Sequence, residues 1–307
     1  MRVFVTGASG WIGSALVPEL IDTGHEVTGL ARSDASAAAL TEAGVRVHRG
    51  DLYDLDGLRA AAGASDGVIH LAFDVESAFS GNFQGAIEAD RRAVEALGEA
   101  LTGSDRPLVI ASVTLVLAPG RVGTEQDTPG LDPATPGGPG VARLATEQVA
   151  RSFASLGVRS SVVRIPPTCH GDGDHGGFLV GLVGIARAKG LSGLIGEGSN
   201  RWPAVHNLDA ARLFRLALEK APAGSALHAV ADEGVPIRAI AEVIGRRLDL
   251  PVTSIPAERA SEHFGWLAGF LAADNPTSST LTRELLGWQP THPGLIEDLD
   301  KGHYFHS

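Results

Sequence analysis

One cysteine, Cys169, stands in a chain of 307 residues, so no internal disulfide framework holds this protein together. Aromatic residues are scarce at 5% of the chain, and any chemistry that needs a tyrosine has only Tyr53 and Tyr304 to draw on. Long apolar runs are missing as well. The longest, Leu108 to Ala118, is too short to span a bilayer, and we expect no membrane association. Positive charge is in deficit, with 25 Lys and Arg against 36 Asp and Glu, a net charge of −11. Nucleic acid is held by basic surface, so this balance argues against a nucleic-acid partner. It leaves room for one small anionic ligand, because a helix terminus and an arginine or two can hold phosphate locally. The chain opens directly on a strand-like segment, MRVFVTGASG, which leads us to expect no signal peptide and a cytoplasmic protein.

What is present is an alternation. Short apolar runs at Arg2–Thr6, Glu26–Leu30, Val45–Arg49, Gly67–Leu71, Pro107–Ser112 and Arg159–Ile165 are separated by helix-length segments near 11–23, 34–43, 54–62, 82–102 and 141–155. Nearly all-apolar strands alternating with helices predict an α/β fold, a Rossmann-type doubly wound parallel sheet covered on both faces. The stretch 119–140 is rich in Gly and Pro and reads as a loop. From Pro166 the rhythm changes, with helices expected at Phe178–Lys189, Leu208–Ala221 and Ile237–Leu248 and a strand at Ala226–Ala231. The expected division is a sheet domain over 1–165 with a return segment at about 203–231, and a small discontinuous C-terminal lobe from 166–202 and 232–307. The cleft between them would take the substrate.

The strongest local signal is Thr6-Gly7-Ala8-Ser9-Gly10-Trp11-Ile12-Gly13, which follows a strand and opens a helix. Gly7 allows the tight turn, Gly10 lets backbone approach a pyrophosphate, and Gly13 lets the helix pack on the sheet. Free N–H groups at the helix start then meet the anion. Gly7, Ser9, Gly10, Trp11, Ile12 and Gly13 are therefore candidate cofactor-binding residues for a dinucleotide.

The end of the second strand speaks to which dinucleotide. A site for NAD usually carries a carboxylate there for the ribose 2′-hydroxyl. Here the strand ends Gly29-Leu30-Ala31-Arg32-Ser33. Arg32 offers a planar set of donors to a 2′-phosphate, and Ser33 adds a hydroxyl. Asp34 is expected in the first turn of the next helix instead. The residues favour NADP(H) over NAD(H).

Together with segments further along the chain, these residues resemble the extended and atypical short-chain dehydrogenase/reductase superfamily, over nearly the whole length. Gly50-Asp51-Leu52 resembles the family's adenine-contacting turn, and His70-Leu71-Ala72 the cofactor-lining segment after the fourth strand. Arg164-Ile165-Pro166-Pro167 followed by His170-Gly171 resembles the nicotinamide-side segment. Trp202 to Asp209 (WPAVHNLD) resembles the segment that returns the chain to the core, and Leu286-Gly287-Trp288-Gln289-Pro290 the C-terminal LGW-x-P signature. The resemblance implies cofactor contacts from Asp51, Leu52, Leu71, Ala72 and Pro166. It also implies a monomer or a homodimer built on the helices near 82–102 and 141–155.

One departure stands out. The superfamily's motif Y-x-x-x-K supplies a tyrosine that passes a proton and a lysine that lowers its pKa and holds the ribose. Aligning Glu147 with the glutamate one turn beyond this lysine puts Arg143 at the lysine and Pro139 at the tyrosine. Arginine keeps the ribose-holding charge, but with a pKa above ~12 it shuttles no proton, and proline donates none. Ser112 and Thr114, after the fifth strand, are then the candidate catalytic hydroxyls, placed to hydrogen-bond a developing alkoxide.

Other residues invite chemistry less strongly. His170 is a candidate proton donor or a bonded loop residue. His170, Asp172, Asp174 and His175 share one glycine loop without metal-ligand spacing, and no metal site is expected. Cys169 lacks a His–acid pairing, and His206 reads as structural. Trp11 either shields the cofactor or packs on the lobe. Phe264, Trp266 and Phe270 read as core or as a lid over a flat apolar substrate. The expected activity is NADPH-dependent reduction of a ketone on a bulky, aromatic-polyketide-like metabolite, as in antibiotic-tailoring ketoreductases. The alternatives are a sugar-nucleotide epimerase or dehydratase, and a non-catalytic NADP(H)-binding regulator.

Overall fold

The computed structural model describes residues 1–127 and 139–306. Residues 128–138 of the loop expected at 119–140 lie outside the described residues. Strands and helices alternate from the start: β1 (Arg2–Thr6), α1 (Trp11–Asp22), β2 (Glu26–Ala31), α2 (Asp34–Glu42), β3 (Arg46–Arg49), α3 (Leu55–Gly63) and β4 (Gly67–His70). Next come α4 (Val75–Phe79), α5 (Phe83–Leu101), β5 (Pro107–Val113), α6 (Pro139–Ser152) and β6 (Arg159–Ile165). The remainder runs β7 (Thr168–His170), α7 (Phe178–Lys189), β8 (Ser192–Ile195), β9 (Arg201–His206), α8 (Asn207–Lys220), β10 (Ser225–His228), β11 (Asp232–Pro236), α9 (Ile237–Leu248) and β12 (Val252–Ile255). Four short helices close it: α10 (Ala260–Phe264), α11 (Ala268–Leu271), α12 (Thr280–Leu286) and α13 (Leu295–Asp300).

Seven strands form one parallel sheet in the order β10-β6-β5-β4-β1-β2-β3. The doubly wound α/β fold read from the alternation is thus present. β1 has β2 on one side and β4 on the other, which makes their C-terminal ends the switch point where such sheets bind ligands. One face of the sheet buries Val3, Val5 and Val163 under α1 and α8, with Phe214 and Trp288 between. The other face buries Phe4, Val68 and Ile110 under α3 and α5, with Leu58, Val94 and Leu97. These side chains are nearly continuous along each strand because both faces are covered.

The C-terminal lobe has its own core, with Leu182, Ile240, Phe264, Leu267 and Leu299. β9 belongs to both regions by simple alternation. Trp202 and Ala204 face the lobe core, whereas Val205 faces the sheet core. The lobe is fastened back by Asp209, which is fully buried. Its carboxylate accepts the N–H groups of Thr291 and His292 at 3.0 Å each, while Trp288 Nε1 donates to its carbonyl at 3.0 Å. The segment predicted as one helix at 82–102 is preceded by a separate short helix, α4, and starts at Phe83 because Asn82 caps α5 by accepting from Gly85 N–H at 3.2 Å. Among the described residues, no helix is long and apolar enough to cross a membrane.

Candidate functional site

A cleft of about 790 Å³ opens at the switch point. The loops after β1, β2, β3 and β4 line it, and Ala111 of β5 and Ile165 of β6 close its inner end. Its floor is the glycine turn. Gly7 has φ +70°, and a Cβ there would stand 2.7 Å from Ala72 N. At Gly13 a Cβ would stand 2.1 Å from Gly7 O, so α1 can pack this close to the turn only with glycine. Gly10 N–H is spent inside the turn, on Gly7 O at 2.9 Å. Gly10 is also the N-cap of α1 and offers no side-chain cap, which leaves the first-turn N–H groups without an intrahelical partner. An uncapped helix start over a turn that only glycine fits is the arrangement that accepts a pyrophosphate.

Of the sequence-derived cofactor residues, Gly7, Ser9, Gly10, Trp11, Ile12, Gly13, Arg32, Ser33, Asp51, Leu52, Leu71 and Ala72 line this cleft. Arg143 and Pro166 are not among its lining. Arg143 stands directly behind the lining, with its guanidinium over the ring of Phe73 at 4.8 Å and its Nη2 donating to Ala111 O at 2.8 Å. Trp11 ties the turn to the lobe. Its Nε1 donates to Cys169 O at 2.8 Å, and Asn207 Nδ2 donates to its carbonyl at 3.0 Å.

The outer end of the cleft is held by surface pairs. Arg32 Nη2 meets Glu76 Oε2 at 3.4 Å, and Tyr53 Oη donates to Asp74 Oδ2 at 2.8 Å. Asp74 also caps α4 by accepting from Ser77 N–H at 3.1 Å, and the bonds from Ser77 and Tyr53 hold its carboxyl below the usual carboxylate range. Ser33 caps α2 through Ser36 N–H at 3.1 Å. Asp34 opens α2 and pairs with Arg49 at 2.7 Å.

The inner end is held by buried groups. Asp90, 1% exposed, accepts Arg143 Nη1 on Oδ2 at 2.9 Å and lies 3.2 Å from His70 Nε2 through Oδ1. Burial pushes the Asp90 carboxyl up, but the Arg143 charge and the His70 bond outweigh it and hold it below the ordinary range. Sequence reasoning passed over Asp90, yet a signal was there. It is a lone acid on the stripe of α5 that buries Ala86, Ala93, Val94 and Leu97.

The two candidate catalytic hydroxyls are buried, and neither is among the residues that line the cleft. Ser112 Oγ donates to Glu147 Oε2 at 3.2 Å, and Thr114 Oγ1 donates to Asn275 Oδ1 at 2.7 Å. Either must surrender that bond before it can donate to a substrate oxygen. Glu147 is itself paired with Arg164, whose Nε donates to Oε2 at 3.1 Å. Arg164 Nη1 in turn meets His228 Nε2 at 3.2 Å.

The remaining sequence candidates settle elsewhere. His170 lies buried in β7 with Nδ1 2.9 Å from Asp298 Oδ2. His206 caps α8 by accepting from Leu208 N–H at 3.2 Å and stacks on His292 at 4.6 Å. Asp174 accepts Gly176 and Gly177 N–H groups at 3.1 and 2.8 Å, a turn within its own loop. Among the described residues no group of three or more His, Cys, Asp or Glu could hold a metal ion. Burial pushes the Cys169 thiol up, away from the thiolate a nucleophile requires. Phe264 is lobe core at 2% exposure, whereas Trp266 is half exposed and joins Phe178 and Phe270 at 5.6 and 5.9 Å.

Comparison with known proteins agrees with this architecture. The chain is 50% identical to an uncharacterized protein of Schizosaccharomyces pombe, over 99% of this chain and 100% of that one. It is 30% identical to a 3-diazoavenalumate denitrifying reductase of a Streptomyces species, over 98% and 100%. The crystal structure of DesIV, a dTDP-glucose 4,6-dehydratase from Streptomyces venezuelae with NAD and TYD bound, superposes with a TM-score of 0.77 at 20% identity, over 99% and 96%. Residues 3–230 match the model of the NAD dependent epimerase/dehydratase family. The chain belongs to the NAD dependent epimerase/dehydratase family, the extended branch of the short-chain dehydrogenases/reductases.

Proposed function

We propose that this protein is an NADPH-dependent reductase that acts on a carbonyl of a bulky small molecule without the tyrosine–lysine pair. The observation that carries the reading is the cleft. It has a glycine cradle in its floor and Arg32 at its outer end, and Arg143, which the family resemblance aligns with the motif's lysine, stands behind its inner end. The glycine turn and the start of α1 would hold the pyrophosphate, and Arg32 and Ser33 a 2′-phosphate. The bound nicotinamide supplies the hydride. Arg143 stays charged throughout, so its part is to hold and orient. Thr114 and Ser112 would orient the carbonyl oxygen after exchanging their present partners.

The relatives bear on this in two directions. The Streptomyces relative is a reductase by name, which favours reduction. A yeast protein at 50% identity extends the group beyond antibiotic-producing bacteria, so the substrate is proposed only as a class. A sugar-nucleotide epimerase or dehydratase is the second reading, favoured by solved relatives such as the NAD-bound dehydratase. It needs a catalytic base in the tyrosine's place. Tyr53 is engaged at the outer end of the cleft, and Tyr304 is buried against Gly171 N.

The test is oxidation of NADPH on addition of a panel of polycyclic ketones and quinones, monitored by absorbance. Carbonyl-dependent turnover, lowered roughly tenfold or more in Thr114→Val, is the expected result. Unchanged turnover in that variant removes Thr114 from the mechanism. Dinucleotide binding with no turnover on any carbonyl points instead to a non-catalytic NADP(H)-binding regulator.

A further inference from the structure

Asp90 sits on the inward face of α5 at 1% exposure, where an unpaired carboxylate would be strongly disfavoured. Its partners account for its presence. Arg143 donates from Nη1 to Asp90 at 2.9 Å and from Nη2 to Ala111 O at 2.8 Å, and its guanidinium lies over Phe73 at 4.8 Å. Ala111 and Phe73 both line the cleft, so three contacts fix the guanidinium just behind the cleft's inner end. The other oxygen of Asp90 leads elsewhere. His70 Nε2 is 3.2 Å from it, and His70 Nδ1 is 2.8 Å from Thr6 Oγ1. Thr6 Oγ1 also accepts Ala72 N–H at 3.3 Å. Thr6 is the last residue of β1, immediately before Gly7 of the cradle. One buried chain of bonds therefore joins the floor of the cleft to the cation at its inner end.

We propose that Asp90 is a positioning residue for dinucleotide binding, acting through Arg143 on the nicotinamide-riboside half of the cofactor. The proposal rests on the cofactor reading of the cleft. With the pyrophosphate on the glycine turn and the adenosine ribose at Arg32, the opposite end of the cleft receives the nicotinamide riboside. An arginine on a long flexible stem would have to be ordered when that group binds. The contacts with Asp90 and Ala111 O order it when the chain folds, so the cost does not fall on binding. If Asp90 served only to neutralise a buried charge, its loss would weaken every ligand equally through the fold.

The test compares the whole dinucleotide with a fragment that lacks the nicotinamide riboside. NADPH affinity is read from nicotinamide fluorescence and adenosine 2′,5′-bisphosphate affinity from calorimetry, with melting temperature alongside. Asp90→Asn and Arg143→Met should each weaken NADPH roughly tenfold, the value of one hydrogen bond to a charged group, and leave the bisphosphate within about twofold. The double variant should be no weaker than either single one, because Asp90 acts through Arg143. It should also melt higher than Asp90→Asn, because no buried charge is left alone. If Asp90→Asn does not fold, the double variant carries the same comparison. Equal weakening of both probes, additive losses, or unchanged NADPH affinity would each overturn the proposal. If the wild-type protein binds neither probe, the cofactor reading fails and this inference with it. If it binds both and the variants match it, the inference alone fails.

Discussion

The two ends of the cleft are built from the same kinds of residue, an arginine facing an acid, and differ in burial. At the outer end, Arg32 and Glu76 have side chains 64% and 81% exposed and meet at 3.4 Å. At the inner end, Arg143 and Asp90 are 12% and 1% exposed and meet at 2.9 Å. An exposed pair contributes about 0–1 kcal/mol and is screened by salt, whereas breaking a buried one costs about 3–5 kcal/mol. Burial alone thus divides the labour. The outer pair can open at small cost and exchange Glu76 for a phosphate. The inner pair is part of the fold, and its geometry costs far more to change.

The largest effect should come from the buried side. Glu147 and Arg164 lie behind the inner end at 1% and 0% exposure. Glu147→Gln leaves the Arg164 cation uncompensated, and urea unfolding should show a loss of about 3–5 kcal/mol. A loss below about 1 kcal/mol would mean that this buried pair behaves like a surface one, and the contrast between the two ends would dissolve.

A smaller effect belongs to the outer end. Arg32→Ala should weaken NADPH roughly tenfold and NADH by no more than about twofold, because only the former brings a 2′-phosphate. Glu76→Gln should move NADPH the other way, tightening it by no more than about fivefold, with the gain fading at high salt. Fluorescence titration at two ionic strengths reads both variants. Equal losses for NADPH and NADH in Arg32→Ala would assign Arg32 to the solvated surface.

The smallest effect is one of pH. Burial depresses His206 to about 4, from an ordinary value near ~6.5. A histidine whose folded pKa is lowered binds its proton more readily when unfolded. The stability it confers is therefore complete above pH ~6.5 and lost progressively as the pH falls toward the folded value. His206→Asn keeps the cap on α8 but removes the titration. Between pH 7 and pH 5 its melting temperature should fall less than that of the wild type. His228, also held at about 4 chiefly by burial, stays in both proteins and contributes the same slope to each.

Legibility in the sequence divides along the same line. The glycine turn, the strand alternation and the end of β2 are local. Each depends on residues adjacent in the chain, and each can be read from them. Asp51 and Leu52, Leu71 and Ala72 are located by the family resemblance, and they line the cleft. Arg143 is placed by counting back from Glu147, but its partners are not legible. Asp90 lies 53 residues away on another helix, and His70 a further 20 residues before it. Ser112 and Thr114 show the limit from the other side. Their position at the end of β5 is legible, while the bonds that occupy their protons come from α6 and from Asn275, 161 residues downstream of Thr114. Contacts that close only in the folded chain leave no spacing to read. The one clue they leave is a charge at a position where the helix period calls for an apolar side chain, as at Asp90.

A side-by-side fluorescence titration of the purified protein with NADPH and NADH puts the cleft itself to the test. A glycine cradle with Arg32 at its outer end predicts saturable binding of NADPH, roughly tenfold or more tighter than NADH. Tighter binding of NADH would contradict the role given to Arg32. Absence of binding by either would contradict the dinucleotide reading of the cleft.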